Sequence, residues 1–132
     1  MTRYGNKYGA VKVRRGGEVY DSQAEAGYAD VLELLKRGGV IADYMHHPPA
    51  VKFRSGIMWR VDYIVTPNTG VEYYVEVKGL PTADYRLKLE LWRHEKPYPL
   101  FVVRKYGEMR FRIIDEIDTD GIARPLLTPA AG

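Results

Sequence analysis

Residues 58–78 read MWRVDYIVTPNTGVEYYVEVK, two alternating segments joined by a turn sequence. The segments 58–66 and 71–78 are rich in β-branched and aromatic residues, which favour strands. Between them, residues 67–70 (Pro-Asn-Thr-Gly) have the composition of a tight turn. This stretch therefore predicts a β-hairpin, and the rest of the fold can be built outward from it.

Alternation in the second strand of this hairpin divides its side chains between two faces, because residues two apart in a strand point the same way. One face is apolar and is predicted to form the core: Val71, Tyr73, Val75 and Val77. The opposite face carries Glu72, Tyr74, Glu76 and Lys78. Glu76 and Lys78 then stand side by side where the strand ends, next to Gly79.

Helical patterns flank the hairpin on both sides. The segment 23–37 follows Asp21-Ser22, either of which can cap a helix, and stops at Gly38-Gly39. Its periodicity puts Glu25 on the inward face. The segment 83–96 follows a possible cap at Thr82 and ends before Pro97, with Leu87, Leu91 and His94 predicted to share one face.

Three further segments predict strands, at 43–53, 100–105 and 109–116. The predicted order is helix, three strands, helix, strand, strand, and the crossover through the second helix makes its two flanking strands parallel. The fold class is therefore α/β, with a mixed central β-sheet flanked by helices. We divide the chain into a basic arm (1–20), one domain (21–114) and a C-terminal tail (115–132).

Length and composition limit the possible functions. A chain of 132 residues suits a single domain, and a hydrophobic content of 45% with 28% charged residues is typical of a folded globular protein. Zero cysteines exclude disulfides, thiolate metal sites and cysteine nucleophiles. The absence of a long apolar run and of a signal-peptide pattern predicts a cytoplasmic protein.

Positive charge is concentrated in the arm. Its bases alternate with tyrosines, a pattern suited to phosphate contacts and stacking on bases. A solubilising, disordered tail is the open alternative. The arm residues that we predict to bind DNA are Arg3, Lys7, Lys12, Arg14 and Arg15.

Asp62 and Glu76 form the candidate catalytic pair. If the hairpin register pairs residues whose numbers sum to an even value, the two carboxylates share one face, whereas an odd sum separates them. Two carboxylates about 4 Å apart repel by about 4 kcal/mol at an effective dielectric constant of about 20, and a divalent cation removes this repulsion. Oxygen ligands suit Mg²⁺, with Mn²⁺ as a substitute, and such an ion assists phosphodiester hydrolysis.

The pattern of Asp62, a hairpin turn and Glu76-Val77-Lys78 between two helices resembles the PD-(D/E)XK nuclease superfamily, whose core is restriction-endonuclease-like with the order α-β-β-β-α-β. More narrowly, it is similar to small archaeal-type and phage Holliday junction resolvases. The resemblance covers roughly residues 20–105. It implies that Glu25, Asp62 and Glu76 bind Mg²⁺ and that Lys78 assists the attacking water.

Purely structural roles remain open for Glu25 and for the Glu76–Lys78 pair. Glu25 lies three residues after Ser22, the spacing of a capping box, in which its carboxylate only satisfies a backbone amide. Glu76 and Lys78 could form a surface ion pair, which contributes about 0 to 1 kcal/mol. Val61 stands where the superfamily name has proline.

Two residues of the second helix, Tyr85 and Lys88, are predicted to contact DNA near the site. Lys88 is favoured because no acid lies four residues after it, although an ordinary amphipathic helix explains these residues equally well. His46 and His47 are predicted to be structural or surface residues, since neighbours in a strand point to opposite faces.

The sequence thus predicts a Mg²⁺-dependent DNA endonuclease, acting on four-way junctions as a homodimer, in the cytoplasm of a cell or of a phage host. A twofold dimer fits a junction that needs two symmetric cuts. The alternatives are a nuclease that cuts flaps, ends, single strands or a particular sequence, and a catalytically silent DNA-binding module.

Overall fold

The computed structural model describes residues 11–68, 70–122 and 124. They form two helices and nine strands: β1 (Val13–Arg15), β2 (Glu18–Tyr20), α1 (Gln23–Arg37), β3 (Ile41–His46), β4 (Val51–Lys52), β5 (Met58–Trp59), β6 (Tyr63–Pro67), β7 (Tyr73–Val77), α2 (Ala83–Glu95), β8 (Leu100–Gly107) and β9 (Arg110–Ile117). The predicted order of the core elements is confirmed by α1, β3, β6, β7, α2 and β8.

The central sheet has five strands in the order β3-β6-β7-β8-β9. Strands β6 and β7 form the predicted antiparallel hairpin, and β7 pairs with β8 in parallel, as the crossover through α2 requires. All other neighbours in this sheet are antiparallel. The predicted mixed α/β sheet is therefore confirmed.

In the β6–β7 hairpin, the numbers of opposed residues sum to an even value. Tyr63 lies opposite Val75 and Val65 lies opposite Tyr73. Continued by one residue, this register brings Asp62 opposite Glu76. Residues directly opposite in an antiparallel pair share a face, so the register brings the two carboxylates together.

Each face of the sheet carries its own apolar core. Tyr73, Val75 and Val77 of the predicted apolar face pack with α1 around Tyr28, Leu32 and Phe101. The predicted core position of Val71 is wrong, because this residue precedes β7 and is 61% exposed. The other face packs with α2 around Trp92 and Leu89, and Tyr74 of β7 lies against this second core. Glu76 therefore points into a covered face of the sheet rather than to open solvent.

Both helices begin at the predicted caps. Ser22 accepts a hydrogen bond from the backbone of Glu25, and Thr82 accepts one from Tyr85. The face of α2 that packs on the sheet carries Tyr85, Leu89 and Trp92, which are buried, whereas Leu87, on the face shared with Leu91 and His94, is 51% exposed. The second core is rich in aromatic rings, and Trp92 makes edge contacts with three of them: Phe53, Trp59 and Tyr74.

Some element boundaries differ from the prediction. The expected strand 58–66 is divided, because β5 leaves the central sheet to pair with β4. Strands β1 and β2 lie inside the segment predicted as an arm, and β9 continues to Ile117, inside the predicted tail. Within the described residues, neither helix is long and apolar enough to span a membrane.

Candidate metal and catalytic site

Three acidic side chains lie buried at one end of the central sheet. Glu25 is 2% exposed, Asp62 is 7% exposed and Glu76 is 8% exposed. Glu25 comes from the first turn of α1, Asp62 immediately precedes β6, and Glu76 lies in β7. Buried carboxylates are rare unless paired or bound to a metal, so this cluster is the strongest candidate site in the described part of the chain.

Backbone hydrogen bonds fix the geometry of the Asp62–Glu76 pair. The backbone N–H of Asp62 donates to Oε1 of Glu76 at 3.2 Å. The backbone N–H of Val77 donates to Oδ2 of Asp62 at 2.8 Å. Each carboxyl group is thus held by the strand that carries the other, which limits the rotation of both side chains.

Glu25 is held by the elements around it. Its backbone carbonyl accepts a hydrogen bond of 2.8 Å from the hydroxyl of Tyr63, which ties the first turn of α1 to β6. Its Oε1 accepts from the backbone N–H of Asp21 at 3.3 Å. One oxygen therefore performs a capping role, while the other, Oε2, faces the cluster described next.

His46 and His47 both contact Glu25. The Nε2 atom of His46 lies 2.6 Å from Oε2 of Glu25, and the Nε2 atom of His47 lies 3.0 Å from the same oxygen. The prediction that these rings point to opposite faces is wrong. Strand β3 ends at His46, and His47 adopts a left-handed backbone with φ of 53°, which stacks the two rings at 3.7 Å.

This arrangement creates a group of potential metal ligands. One ligand atom from each of Asp21, Glu25, His47 and Asp62 lies within 4.8 Å of the others. Glu76 is not a member of this group but borders it, because the backbone N–H of Asp62 donates to its Oε1. The predicted ligands Glu25, Asp62 and Glu76 are therefore neighbours, and Asp21 and His47 are two neighbours that sequence reasoning missed.

The acids of this cluster repel one another when they are ionised. The charge of Glu25 raises the pKa of Asp62, and the charge of Asp62 raises the pKa of Glu76. A divalent cation bound beside these carboxylates would offset the repulsion and favour their ionised forms.

Burial is the main cause of the raised pKa values of these acids. Burial raises the pKa of Glu25 to about 7, and the nearby carboxylates of Asp21 and Glu76 add to the rise. Burial also raises the pKa of Asp62, followed by the repulsion from Glu25. The pKa of Glu76 is raised by burial and by Asp62, and the ammonium group of Lys78 opposes this rise.

Lys78 stands directly after β7, at the end of the face that carries Glu76. Its Nζ atom lies 5.1 Å from the centre of the Tyr85 ring, a distance at which a cation is attracted to the aromatic face. The hydroxyl of Tyr85 donates to Asp115 at 3.0 Å. Tyr85 is therefore tied to β9 and lies beside Lys78, next to the carboxylate cluster.

The predicted DNA-binding residues have several different environments. Arg3 and Lys7 lie outside the described residues, and Arg14 is exposed. Lys12 pairs with Asp21 at 2.8 Å. Arg15 makes two hydrogen bonds to Asp30 and one to the carbonyl of Ala26, so it joins the β1–β2 hairpin to α1.

Lys88 is also paired within the protein. Its Nζ lies 3.2 Å from Asp84, the residue four positions before it. No acid lies four residues after Lys88, as predicted, but the residue four positions before it supplies the acidic partner. An acid that precedes its lysine by four residues is the more favourable orientation on a helix.

Comparison with known proteins adds a family without a known activity. A family model described as "Protein of unknown function (DUF1064)" matches residues 5–114. The chain belongs to this family. The match includes α1, both helix caps and all the cluster residues, from Asp21 to Lys78. None of the curated proteins matches the sequence.

The sequence contains only a partial indication that His47 lies beside Glu25. The pair His46-His47 precedes Pro48-Pro49, so the strand had to end near the histidines. A strand end removes the alternation rule on which the prediction of opposite faces depended. The left-handed conformation of His47 itself has no such signal, because histidine adopts it only occasionally.

Proposed function

We propose that this protein is a divalent-metal-dependent DNA endonuclease that hydrolyses phosphodiester bonds. The observation that supports the proposal most directly is the contact of three buried carboxyl groups, Glu25, Asp62 and Glu76, beside the ammonium group of Lys78. A cluster of this kind is unfavourable without a cation, because burial and mutual repulsion both act against ionisation. The similarity of these residues to the PD-(D/E)XK pattern supports the same proposal.

The residues fit Mg²⁺ or Mn²⁺ by their chemistry. Carboxylate oxygens are hard ligands, and those of Glu25 and Asp62 belong to one group of ligand atoms within 4.8 Å of one another. Glu76 adds a further carboxylate beside Asp62, whose backbone N–H donates to its Oε1. When bound, such an ion supplies a coordinated water of lowered pKa and neutralises charge on the scissile phosphate.

Lys78 has a separate role in the proposal. Its ammonium group is the cation that the chain itself supplies next to Glu76, and it is half-buried rather than freely hydrated. The ring of Tyr85 restrains it from the α2 side. Held in this way, Lys78 donates hydrogen bonds to the attacking water or to a non-bridging phosphate oxygen, where negative charge develops.

The substrate in the proposal is branched DNA, with four-way junctions preferred and a homodimer as the active assembly. Both follow from the resemblance to junction resolvases and from the symmetry of the junction. We also propose that the protein acts in the cytoplasm.

Cleavage assays with a labelled four-way junction and a matched linear duplex test this proposal. We expect paired nicks at the junction in Mg²⁺ and none in EDTA. Asp62→Asn and Glu76→Gln should each reduce cleavage by more than about 100-fold, since residues that only orient metal ligands already contribute about 10- to 100-fold. Glu72→Gln, a matched change at an exposed position just before β7, should retain full activity.

Lys78→Gln should abolish cleavage while Mg²⁺ binding, measured by calorimetry, stays within about three-fold of the unmodified protein. Cleavage of the linear duplex alone would keep the nuclease and reject the junction preference. No cleavage of any DNA in Mg²⁺ or Mn²⁺ by a correctly folded protein would reject the proposed activity.

A further inference from the structure

A row of arginines crosses the sheet beside Lys78. Arg104 of β8 lies directly opposite Arg112 of β9. Arg110, two residues before Arg112, lies on the same strand, β9. All three are exposed. We refer to Arg104, Arg110 and Arg112 as the arginine row.

The strand registers place the arginine row on the same face of the sheet as the candidate site. Glu76 lies opposite Val102, and Arg104 is two residues further along the same strand, so both point to the α2 face. Lys78 continues this pairing, because its backbone N–H donates to the carbonyl of Val103 at 2.8 Å. Neighbouring strands lie about 4.8 Å apart, so Lys78, Arg104 and Arg112 follow one another across three strands.

The positive charges of the arginine row repel one another in the protein without a bound ligand. Like charges directly opposite each other in a sheet destabilise the pairing. Within residues 11–68, 70–122 and 124, no acid lies at ion-pair distance from any of the three arginines. Elsewhere in the same part of the chain, arginines such as Arg15 and Arg93 have acidic partners.

Packing contacts hold two of the three arginines, Arg110 and Arg112, against the sheet. The guanidinium group of Arg112 lies 4.3 Å from the centre of the exposed Tyr106 ring. The stem of Arg110 lies over Gly107, where an added Cβ would come within 3.3 Å of its Cδ. Ordered guanidinium groups lose less entropy when they bind an anion than freely moving ones do.

We infer that the arginine row binds the phosphate backbone of the DNA strand that leaves the site next to Lys78. The anion must be extended, because the cations continue for three strands in one direction, and guanidinium groups match phosphate oxygens in pairs. The inference rests on the proposed function for the identity of this anion, and it assigns the DNA contacts to the β8–β9 hairpin in addition to the predicted arm.

Binding measurements without cleavage test the inference. Anisotropy of a short labelled DNA duplex is recorded in EDTA over a range of salt concentrations, for the unmodified protein and for the double variant Arg104→Gln/Arg112→Gln. We expect the variant to bind about ten-fold more weakly, with the slope of log affinity against log salt reduced by about 2.

The matched control is Lys36→Gln/Arg37→Gln, which removes two positive charges from the last turn of α1. Those side chains pair with Asp43 and Glu33, so the control should leave DNA affinity within about three-fold. Thermal unfolding should show that Arg104→Gln/Arg112→Gln is at least as stable as the unmodified protein, because the variant removes repulsion between opposed like charges.

The outcomes separate this inference from the proposed activity. Unchanged affinity and salt slope in Arg104→Gln/Arg112→Gln would overturn the inference even if the protein cuts DNA. Loss of binding in this variant, together with no cleavage by the unmodified protein, would support the arginine row and reject the nuclease. Failure of the unmodified protein to bind DNA would overturn the inference.

Discussion

The backbone amide of Asp62 donates to Oε1 of Glu76 at 3.2 Å, and the charge of Asp62 raises the pKa of Glu76. This relationship depends on the even register of the β6–β7 hairpin, in which residue numbers of opposed pairs sum to an even value. It places two buried acids in contact, so that the site lowers the stability of the ion-free protein. The consequences for stability can be measured without any assay of activity.

Replacement of one acid should stabilise the ion-free protein. Glu76→Gln keeps the oxygen that accepts from Asp62 but removes a buried charge that Asp62 opposes. In EDTA at about pH 8, we expect the free energy of unfolding in urea to rise by roughly 1 to 2 kcal/mol, the value of about one pKa unit. The control Glu72→Gln, at an exposed position, should change it by less than about 0.5 kcal/mol. A lower stability for Glu76→Gln would contradict the repulsion described above.

The ion-free protein should also lose stability as pH rises. Burial raises the pKa of Glu25 from 4.5 to about 7, so the folded protein binds more protons than the unfolded chain within this window. The free energy of unfolding therefore falls between about pH 5 and pH 8 in EDTA, and saturating Mg²⁺ should reduce the fall. Urea titrations at several pH values measure this slope.

Glu25→Gln should flatten that slope. The comparison is Glu33→Gln, because the hydroxyl of Tyr44 holds the pKa of Glu33 below its usual range and the residue stays ionised throughout the window. The slope in Glu33→Gln should match that of the unmodified protein. Equal slopes in both variants would show that Glu25 does not take up the proton.

His47 should affect the choice of metal. Its Nε2 lies 3.0 Å from Glu25 and within the ligand group that includes Asp21 and Asp62, and imidazole favours Zn²⁺ over Mg²⁺. His47→Asn, which tolerates the left-handed backbone, should weaken Zn²⁺ binding by about ten-fold or more and Mg²⁺ binding by less than about three-fold. Calorimetry with each ion measures both, and the exposed His94→Asn serves as control. Equal weakening for both ions would exclude selective ligation by His47.

Two leucines of α2 provide a direct test of its buried face. Leu89 is 6% exposed in the second core and Leu87 is 51% exposed, so the same substitution samples both sides of one helix. Leu89→Ala should destabilise the protein by about 2 to 5 kcal/mol. Leu87→Ala should change stability by less than about 0.5 kcal/mol in the same urea titration. A larger effect at Leu87 than at Leu89 would contradict the packing of α2 described above.

The element order could be predicted from local patterns, because caps, turns and periodicity each depend on neighbouring residues. Ser22 and Thr82 cap helices as expected, and the alternation in 71–78 gives the correct side for Tyr73 and Val75. These signals agree with one another, and such agreement is what makes a fold readable from its sequence.

The features that could not be predicted from the sequence depend on contacts between residues far apart along the chain. In α2, the residues Leu87 and Leu91 compete with Tyr85, Leu89 and Trp92 for the inward face, and only the aromatic side chains of the sheet decide between them. The alternating pattern of the two strands is compatible with either hairpin register. The sequence alone could therefore not decide whether Asp62 and Glu76 lie opposite each other. The position of His47 depends on one backbone angle at the end of β3.

The three acids come from a helix near the start of the chain and from two later strand regions, and no local segment contains them all. A chain emerging from the ribosome carries each acid long before the sheet joins them, and an ion finds no shared pocket until folding is complete. The proposed metal site therefore comes into existence only after α1, β6 and β7 have come together.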